Sequence, residues 1–246
     1  MMQEFLTALR FLTIFPVGDS RKSTGLAKAM LFFPFVGFLI GLASLALFSM
    51  AEKFLPGRAA VLVLMASPIF LSAGLHLDGF TDFCDGFFGG HGRENILRIM
   101  KDSRIGTWGA LGLFLLLAAK FELLQDLPLR PKVFLLAMTA SRWAQGIFSF
   151  FLPYARPEGG LGESVAGKVE KNRVLGATVF LLAVVLWVGS AGILIFSGFV
   201  LFLFLLGIFF KQKLGGVTGD LLGAASELSE LFIFLLASIL LGGRHA

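Results

Sequence analysis

The sequence predicts an all-α, polytopic membrane helix bundle, and three observations carry that prediction. Of 246 residues, 57% are hydrophobic and only 15% are charged, against about 25% charged in an ordinary soluble domain. Several apolar runs reach about 20 residues, the length a helix needs to cross a bilayer. The runs are continuous rather than alternating, which excludes a membrane β-barrel. The 30 glycines suit helix packing in lipid, where small residues let backbones approach. No internal repeat or low-complexity stretch divides the chain, so residues 1–246 are read as one domain.

Taken in order, Met2 to Phe15 places Phe5, Leu9 and Leu12 on one helical face, flanked by Leu6 and Thr13. The segment is too short to span, so an interfacial helix stopped by Pro16 is expected. Glu4 and the lack of a small-residue cleavage site argue against a cleaved leader. A polar loop with Arg21, Lys22 and Lys28 follows. Spans are expected at 31–51, 59–75, 107–125 and 133–152, with two more within 174–210. A last span reaches the required length only if it starts near Asp220, giving about seven in all. With the N-terminus in the cytoplasm, segments 1–30, 76–105, 153–173 and 211–220 share one side and hold most of the Lys and Arg, including Lys211 and Lys213. The opposite side holds Lys53, Arg58, Arg130, Lys132 and Arg244. This is the positive-inside bias, and the net charge of +5 is read as that bias rather than as a nucleic-acid surface.

The chemistry concentrates in His76-Leu77-Asp78-Gly79-Phe80-Thr81-Asp82-Phe83-Cys84-Asp85-Gly86. Asp78, Asp82 and Asp85 stand at i, i+4 and i+7, so a helix would project all three from one face. Crowded carboxylates resist ionising without a counter-charge. A hard divalent cation such as Mg²⁺ relieves them and often bridges to substrate phosphates. A merely solvated helix end is the plainer alternative. His76 would orient Asp78 or act as a base. Cys84 is the single cysteine, so no intramolecular disulfide forms. It is read as a small packing residue rather than a nucleophile, because no His or Lys is spaced to pair with it.

Two further stretches fall on the same side. Lys101, Asp102, Ser103 and Arg104 offer phosphate partners, or a basic pair snorkelling to headgroups. Gly106 and Gly109 keep the entry to the next span thin. Asp220 follows Gly215, Gly216, Thr218 and Gly219, a segment that can bring backbone N–H groups to a phosphate or let two helices touch. An acid there also complements a helix dipole. Arg142, alone in the middle of a span, needs a partner and is a functional candidate by default. Lys120 and Glu122 are expected at the surface or paired, and His91 in solvent. Together these parts describe metal-assisted phosphoryl or nucleotidyl transfer at a membrane surface. Transport fits less well, since the acids sit at a span's end and no paired halves repeat.

The acidic stretch, then Arg98-Ile99-Met100-Lys101-Asp102-Ser103-Arg104-Ile105-Gly106, then Gly215-Gly216-Val217-Thr218-Gly219-Asp220-Leu221-Leu222-Gly223-Ala224-Ala225, resemble the cobalamin synthase family of adenosylcobinamide-GDP ribazoletransferases. Phe33-Pro34-Phe35-Val36-Gly37, Leu161-Gly162 and Gly167-Lys168-Val169 extend the likeness over nearly the whole chain. The resemblance implies that α-ribazole, or its 5′-phosphate, attacks adenosylcobinamide-GDP, releasing GMP and forming adenosylcobalamin or its phosphate. It implies Mg²⁺ dependence and a multi-pass protein of the bacterial cytoplasmic membrane with its active site facing the cytoplasm. Asp78, Asp82 and Asp85 would be metal ligands, with Asp220 a further ligand or base. The catalytic set would be Asp82, Asp85, Asp220 and His76. Lys101, Asp102, Ser103 and Arg104, with Gly216 and Thr218, would bind substrate. The acidic motif also resembles that of CDP-alcohol phosphotransferases, at a different spacing. Implied partners are the two substrates and the bilayer, with a homo-oligomer or other corrinoid-assembly enzymes left open.

Overall fold

The computed structural model describes residues 1–17, 25–127, 129–156 and 158–242. Arg21, Lys22 and Arg244, counted above for sidedness, lie outside the described residues. The described chain is helical: α1 Met2–Leu12, α2 Leu26–Ala29, α3 Phe33–Ala51, α4 Gly57–Leu71, α5 Leu75–Gly89, α6 Arg93–Ile99, α7 Thr107–Gln125, α8 Arg130–Phe151, α9 Lys171–Val188, α10 Ser190–Leu214 and α11 Gly219–Gly242. Short 3₁₀ turns link α2 to α3 and occupy Leu161–Ser164. The only β-type pairing among the described residues is an isolated bridge between Tyr154 and Val217.

The expected spans correspond to α3, α4, α7, α8, α9, α10 and α11 within a few residues. On length and apolar composition five stretches qualify as spans, namely those ending α3, α7, α9, α10 and α11. A sixth qualifies only if α4 and α5, bent by 90° at their junction, count as one. The difference from about seven lies in α4, which is 15 residues long, and in α8, which carries Arg130, Lys132 and Arg142. Phe114 and Leu115 on α7, and Leu201, Phe204 and Leu205 on α10, are exposed large apolar residues. Outward apolar faces of this kind are what lipid requires.

The polar character of α8 has a physical reason: it is the central helix. Every residue from Val133 to Gln145 is buried, with α3, α9 and α11 packed around it. Gly37 and Gly41 make the α3 contact close; a Cβ on Gly41 would come 2.9 Å from the Leu135 side chain. Amphipathic α1 packs Ala8 and Leu12 inward. It is tied to α9 by an ion pair of 2.8 Å between Glu4 and Arg173. Burial opposes ionisation of Glu4, but Arg173 and the N-terminal ammonium outweigh it and hold the carboxyl below its usual value.

The bend between α4 and α5 positions the acidic stretch. Ala73 and Gly74 take positive φ values of 51° and 69°, and the Gly74 N–H donates to the Ile69 carbonyl at 2.9 Å. Glycine adopts that conformation without the Cβ penalty. The chain leaves α4 sideways, and α5 packs against α7 and α11.

Candidate functional site

The acidic face of α5 meets the first turns of two other helices. Asp85, 8% exposed, accepts the Gly106 N–H at 2.7 Å and the Gly109 N–H at 2.8 Å, one on each oxygen. It thereby caps α7, whose N-terminal amides and dipole favour a carboxylate there. A Cβ on Gly106 or Gly109 would collide with that carboxylate, and one on Gly112 with the Cys84 sulfur. The glycines of α7 thus form the groove that seats α5. Cys84 is buried and free, a packing residue as expected.

At the other end α5 meets α11. A Cβ on Gly79 would lie 2.6 Å from the Asp220 carbonyl oxygen and 2.9 Å from its Cα. Gly223 sits against the His76 backbone. Two helices touching at glycines leave their flanking side chains to face one cavity of about 290 Å³. Asp78, His76, Gln145, Tyr154, Arg156 and Asp220 contribute its polar lining. The Asp220 carboxylate accepts a hydrogen bond from Arg156 Nη2 at 2.5 Å, and the same nitrogen reaches the Met100 carbonyl at 3.2 Å. Asp78 and Asp82 accept no hydrogen bond among the described residues. The charges that bear on Asp82 are those of Asp220, Asp78, Arg156 and Asp85. Arg156, the one cation among these charges, is hydrogen-bonded to Asp220.

The segments expected on one side do converge here. Phe11, Leu26 and Met30 from the N-terminal segment line the cavity beside α5, Arg156 and Asp220. Arg93, at the start of α6, donates to the Leu214 carbonyl at 2.9 Å and the Ala155 carbonyl at 2.7 Å, fastening the ends of α8 and α10. The Ala155 N–H donates to Val217 and the Val217 N–H to Pro153, both at 2.9 Å.

The glycine-rich segment divides into structural and cavity-facing parts. Gly215 takes a φ of 76° and ends α10. A Cβ on Gly216 would strike the Pro153 carbonyl, and Gly216 is buried. Thr218 is fully buried and its hydroxyl accepts the Leu221 N–H at 3.2 Å, capping α11. Neither Gly216 nor Thr218 lines the cavity, whereas Gly219, Asp220 and Gly223 do. The segment brings the chain close to Pro153 and starts α11 at the right place.

Lys101, Asp102, Ser103 and Arg104 form an exposed loop between α6 and α7. Arg104 binds Asp102 through both side-chain ends, at 3.0 and 2.7 Å. Those hydrogen bonds and the Arg104 N–H hold the Asp102 carboxyl down at about 2. Since that value is depressed, the pairing persists as pH falls until the carboxyl protonates near pH 2, so it is constant around neutrality. The loop is anchored at Met100, which is buried and packs against Gly86.

Arg142 has the partner its position demanded, and the group is larger than the sequence suggested. Its Nη1 donates to Glu230 and Ser226, both at 2.7 Å. Lys120, expected near a surface or paired, is buried and donates to Glu227 at 2.5 Å and Glu230 at 2.6 Å. Glu122 is exposed and faces Arg58 at 3.8 Å. Glu227 and Glu230, three residues apart on an apolar helix, were the readable signal for this cluster. Arg156 and Gln145 had none: one sits in an aperiodic loop and the other among the apolar residues of α8.

Among the described residues, no three His, Cys, Asp or Glu side chains stand close enough together to hold a metal ion. The donor chemistry nonetheless fits Mg²⁺, which prefers one or two carboxylates completed by substrate oxygens to an all-protein cage. Asp78 and Asp82 have no competing partner, whereas Asp85 and Asp220 are engaged.

The fold and the site define a multi-pass helical membrane protein with a carboxylate-lined cavity where α5 and α11 cross. The chain belongs to the cobalamin-5-phosphate synthase family, which matches residues 4–238. It is 39% identical over 251 residues to the adenosylcobinamide-GDP ribazoletransferase of Chlorobaculum tepidum, covering 99% of this chain and 98% of that one. It is 36% identical over 249 residues to the protein of that name from Escherichia coli strain K12, covering 96% and 99%. No solved structure matches.

Proposed function

We propose that the chain joins adenosylcobinamide-GDP to α-ribazole or its 5′-phosphate, releasing GMP, and works in the bacterial cytoplasmic membrane with its cavity facing the cytoplasm. The observation that carries this reading is full-length similarity to ribazoletransferases in a chain where Asp78, Asp220 and Arg156 line a single cavity. The positive-inside bias supports the orientation, since the cavity opens on the side richer in Lys and Arg.

In this reading Asp78 and Asp82 would hold Mg²⁺ beside the diphosphate of the donor. The bound cation would supply charge neutralisation at the phosphoanhydride and on departing GMP. Asp220, oriented by Arg156, accepts the proton of the attacking hydroxyl or helps hold the cation. Arg156 then meets the phosphate charge as donor enters. Asp85 sets the distance between α5 and α7, and with it the loop carrying Lys101, Asp102, Ser103 and Arg104, whose cations face the guanosine diphosphate. His76 borders the same cavity and orients the acceptor.

The test is the purified protein in detergent with Mg²⁺, adenosylcobinamide-GDP and α-ribazole. GMP and a corrinoid carrying the lower base are expected. CMP release from a CDP-activated alcohol, with no GMP from the corrinoid donor, would overturn the assignment.

A further inference from the structure

Two polar side chains at the cavity are buried without partners. His76 is 2% exposed and neither ring nitrogen has a hydrogen-bond partner. Gln145 is 4% exposed and its Nε2 is likewise unpaired. The two side chains come from different helices, α5 and α8, and line the same cavity. Buried polar groups are as a rule hydrogen-bonded, so unpaired ones gathered around one cavity point to a polar ligand that pairs them. Apart from Asp78, Tyr154, Arg156 and Asp220, the other side chains of the lining are apolar: Phe11, Leu26, Met30, Leu75, Val165 and Leu222. Phe11 is braced by Phe33, stacked at 5.9 Å between ring centroids.

Size narrows the ligand. At about 290 Å³ the cavity stands at the small end of ligand sites, roughly 300–1,000 Å³. A single nucleoside fills such a space, and a corrin ring joined to a nucleotide does not. An apolar wall suits the faces of a flat heteroaromatic base, while an amide and an imidazole suit its ring nitrogen and sugar hydroxyls. Asp78, Asp220 and Arg156 line the same cavity, so a hydroxyl of that sugar has carboxylates within its own binding space.

We infer that this cavity is the acceptor subsite, that Gln145 and His76 recognise the nucleoside, and that the corrinoid donor stays outside, offering only its diphosphate to the acids. The inference rests on the proposed reaction for the identity of the nucleoside. It makes Gln145 a specificity-determining residue, which neither sequence spacing nor charge indicated. The donor, in contrast, meets the pocket only through its diphosphate, and the remainder of it is held outside, in part by the exposed Lys101–Arg104 loop.

The test is equilibrium binding of α-ribazole to the purified full chain by titration calorimetry without donor, together with the KM for each substrate. Gln145→Leu, close in volume, is expected to weaken α-ribazole binding at least tenfold and raise the acceptor KM to match, leaving the donor KM within about twofold. Leu222→Trp, which fills the cavity, is expected to abolish α-ribazole binding and preserve binding of adenosylcobinamide-GDP. Unchanged α-ribazole affinity in both variants, or loss of donor affinity in place of acceptor affinity, would overturn the inference. Saturable α-ribazole binding that Gln145→Leu weakens, in a protein that releases no GMP, would uphold the subsite and sink the proposed reaction.

Discussion

Two groups of charged side chains hold this bundle's chemistry, one fully buried and one partly open to solvent, and they behave in opposite ways. Lys120, Arg142, Glu227 and Glu230 are two cations and two anions, each buried and each hydrogen-bonded across helices. Where α5 meets α11, Asp78, Asp82 and Asp220 gather near one guanidinium, that of Arg156, which is hydrogen-bonded to Asp220, while Asp78 and Asp82 have no partner among the described residues. The first group is balanced and hydrogen-bonded at every charged side chain, with only the Arg142 Nε left without a partner, so its energy is spent holding α7, α8 and α11 together. The second is negative and unsaturated, so it can still bind. A charge inside a membrane protein marks a functional site only when its surroundings leave it unbalanced; Arg142, a candidate by position, belongs to the structural group.

The largest expected effect breaks the balanced group. Arg142→Ala leaves Glu230 short of a partner, and loss of one member of a buried pair costs about 3–5 kcal/mol. Unfolding in denaturing detergent should show that loss. Arg142→Met combined with Glu230→Leu keeps Lys120 on Glu227 and removes both charges, so most of the stability and GMP release should return. Should the double variant stay folded without activity, the cluster has a chemical role and the comparison fails.

Next in size is Asp82→Asn. It removes an unpaired charge, so the folded protein should be at least as stable as the parent, while GMP release falls about 100-fold or more, equivalent to about 3 kcal/mol of barrier. Retained activity would remove Asp82 from the site. Arg104→Ala should raise the donor KM about tenfold, or about 1.4 kcal/mol, with no change in stability because its side chain is 86% exposed. An unchanged donor KM would leave the loop with no part in binding. The smallest effect is expected of Cys84→Ala, a loss of less than about 1.5 kcal/mol from one packing contact with activity intact. Inactivation would reopen a nucleophilic role for the thiol.

Much of this was readable from the chain. Continuous apolar runs located the spanning helices, and the spacing of Asp78, Asp82 and Asp85 predicted one acidic face. What the spacing could not show is which side chains lie across from that face. Asp85 shares it, yet both its oxygens go to backbone amides at the start of α7, because the free N–H groups of a helix N-terminus also attract a carboxylate. Gly216 and Thr218 read as substrate contacts because glycine and hydroxyl residues serve phosphates and helix caps alike. Arg156 could not be singled out, since its importance comes from a turn that carries the chain from α8 back over Asp220.

The central claim is that unsaturated carboxylates on α5 hold a divalent cation. Mn²⁺, a spectroscopic substitute for Mg²⁺, can be titrated into the purified protein with adenosylcobinamide-GDP present and followed by electron paramagnetic resonance. The account predicts saturable binding that is lost in a variant carrying both Asp78→Asn and Asp82→Asn and kept in the variant carrying Arg142→Met with Glu230→Leu. Binding of equal affinity in the variant without the two α5 acids would contradict it.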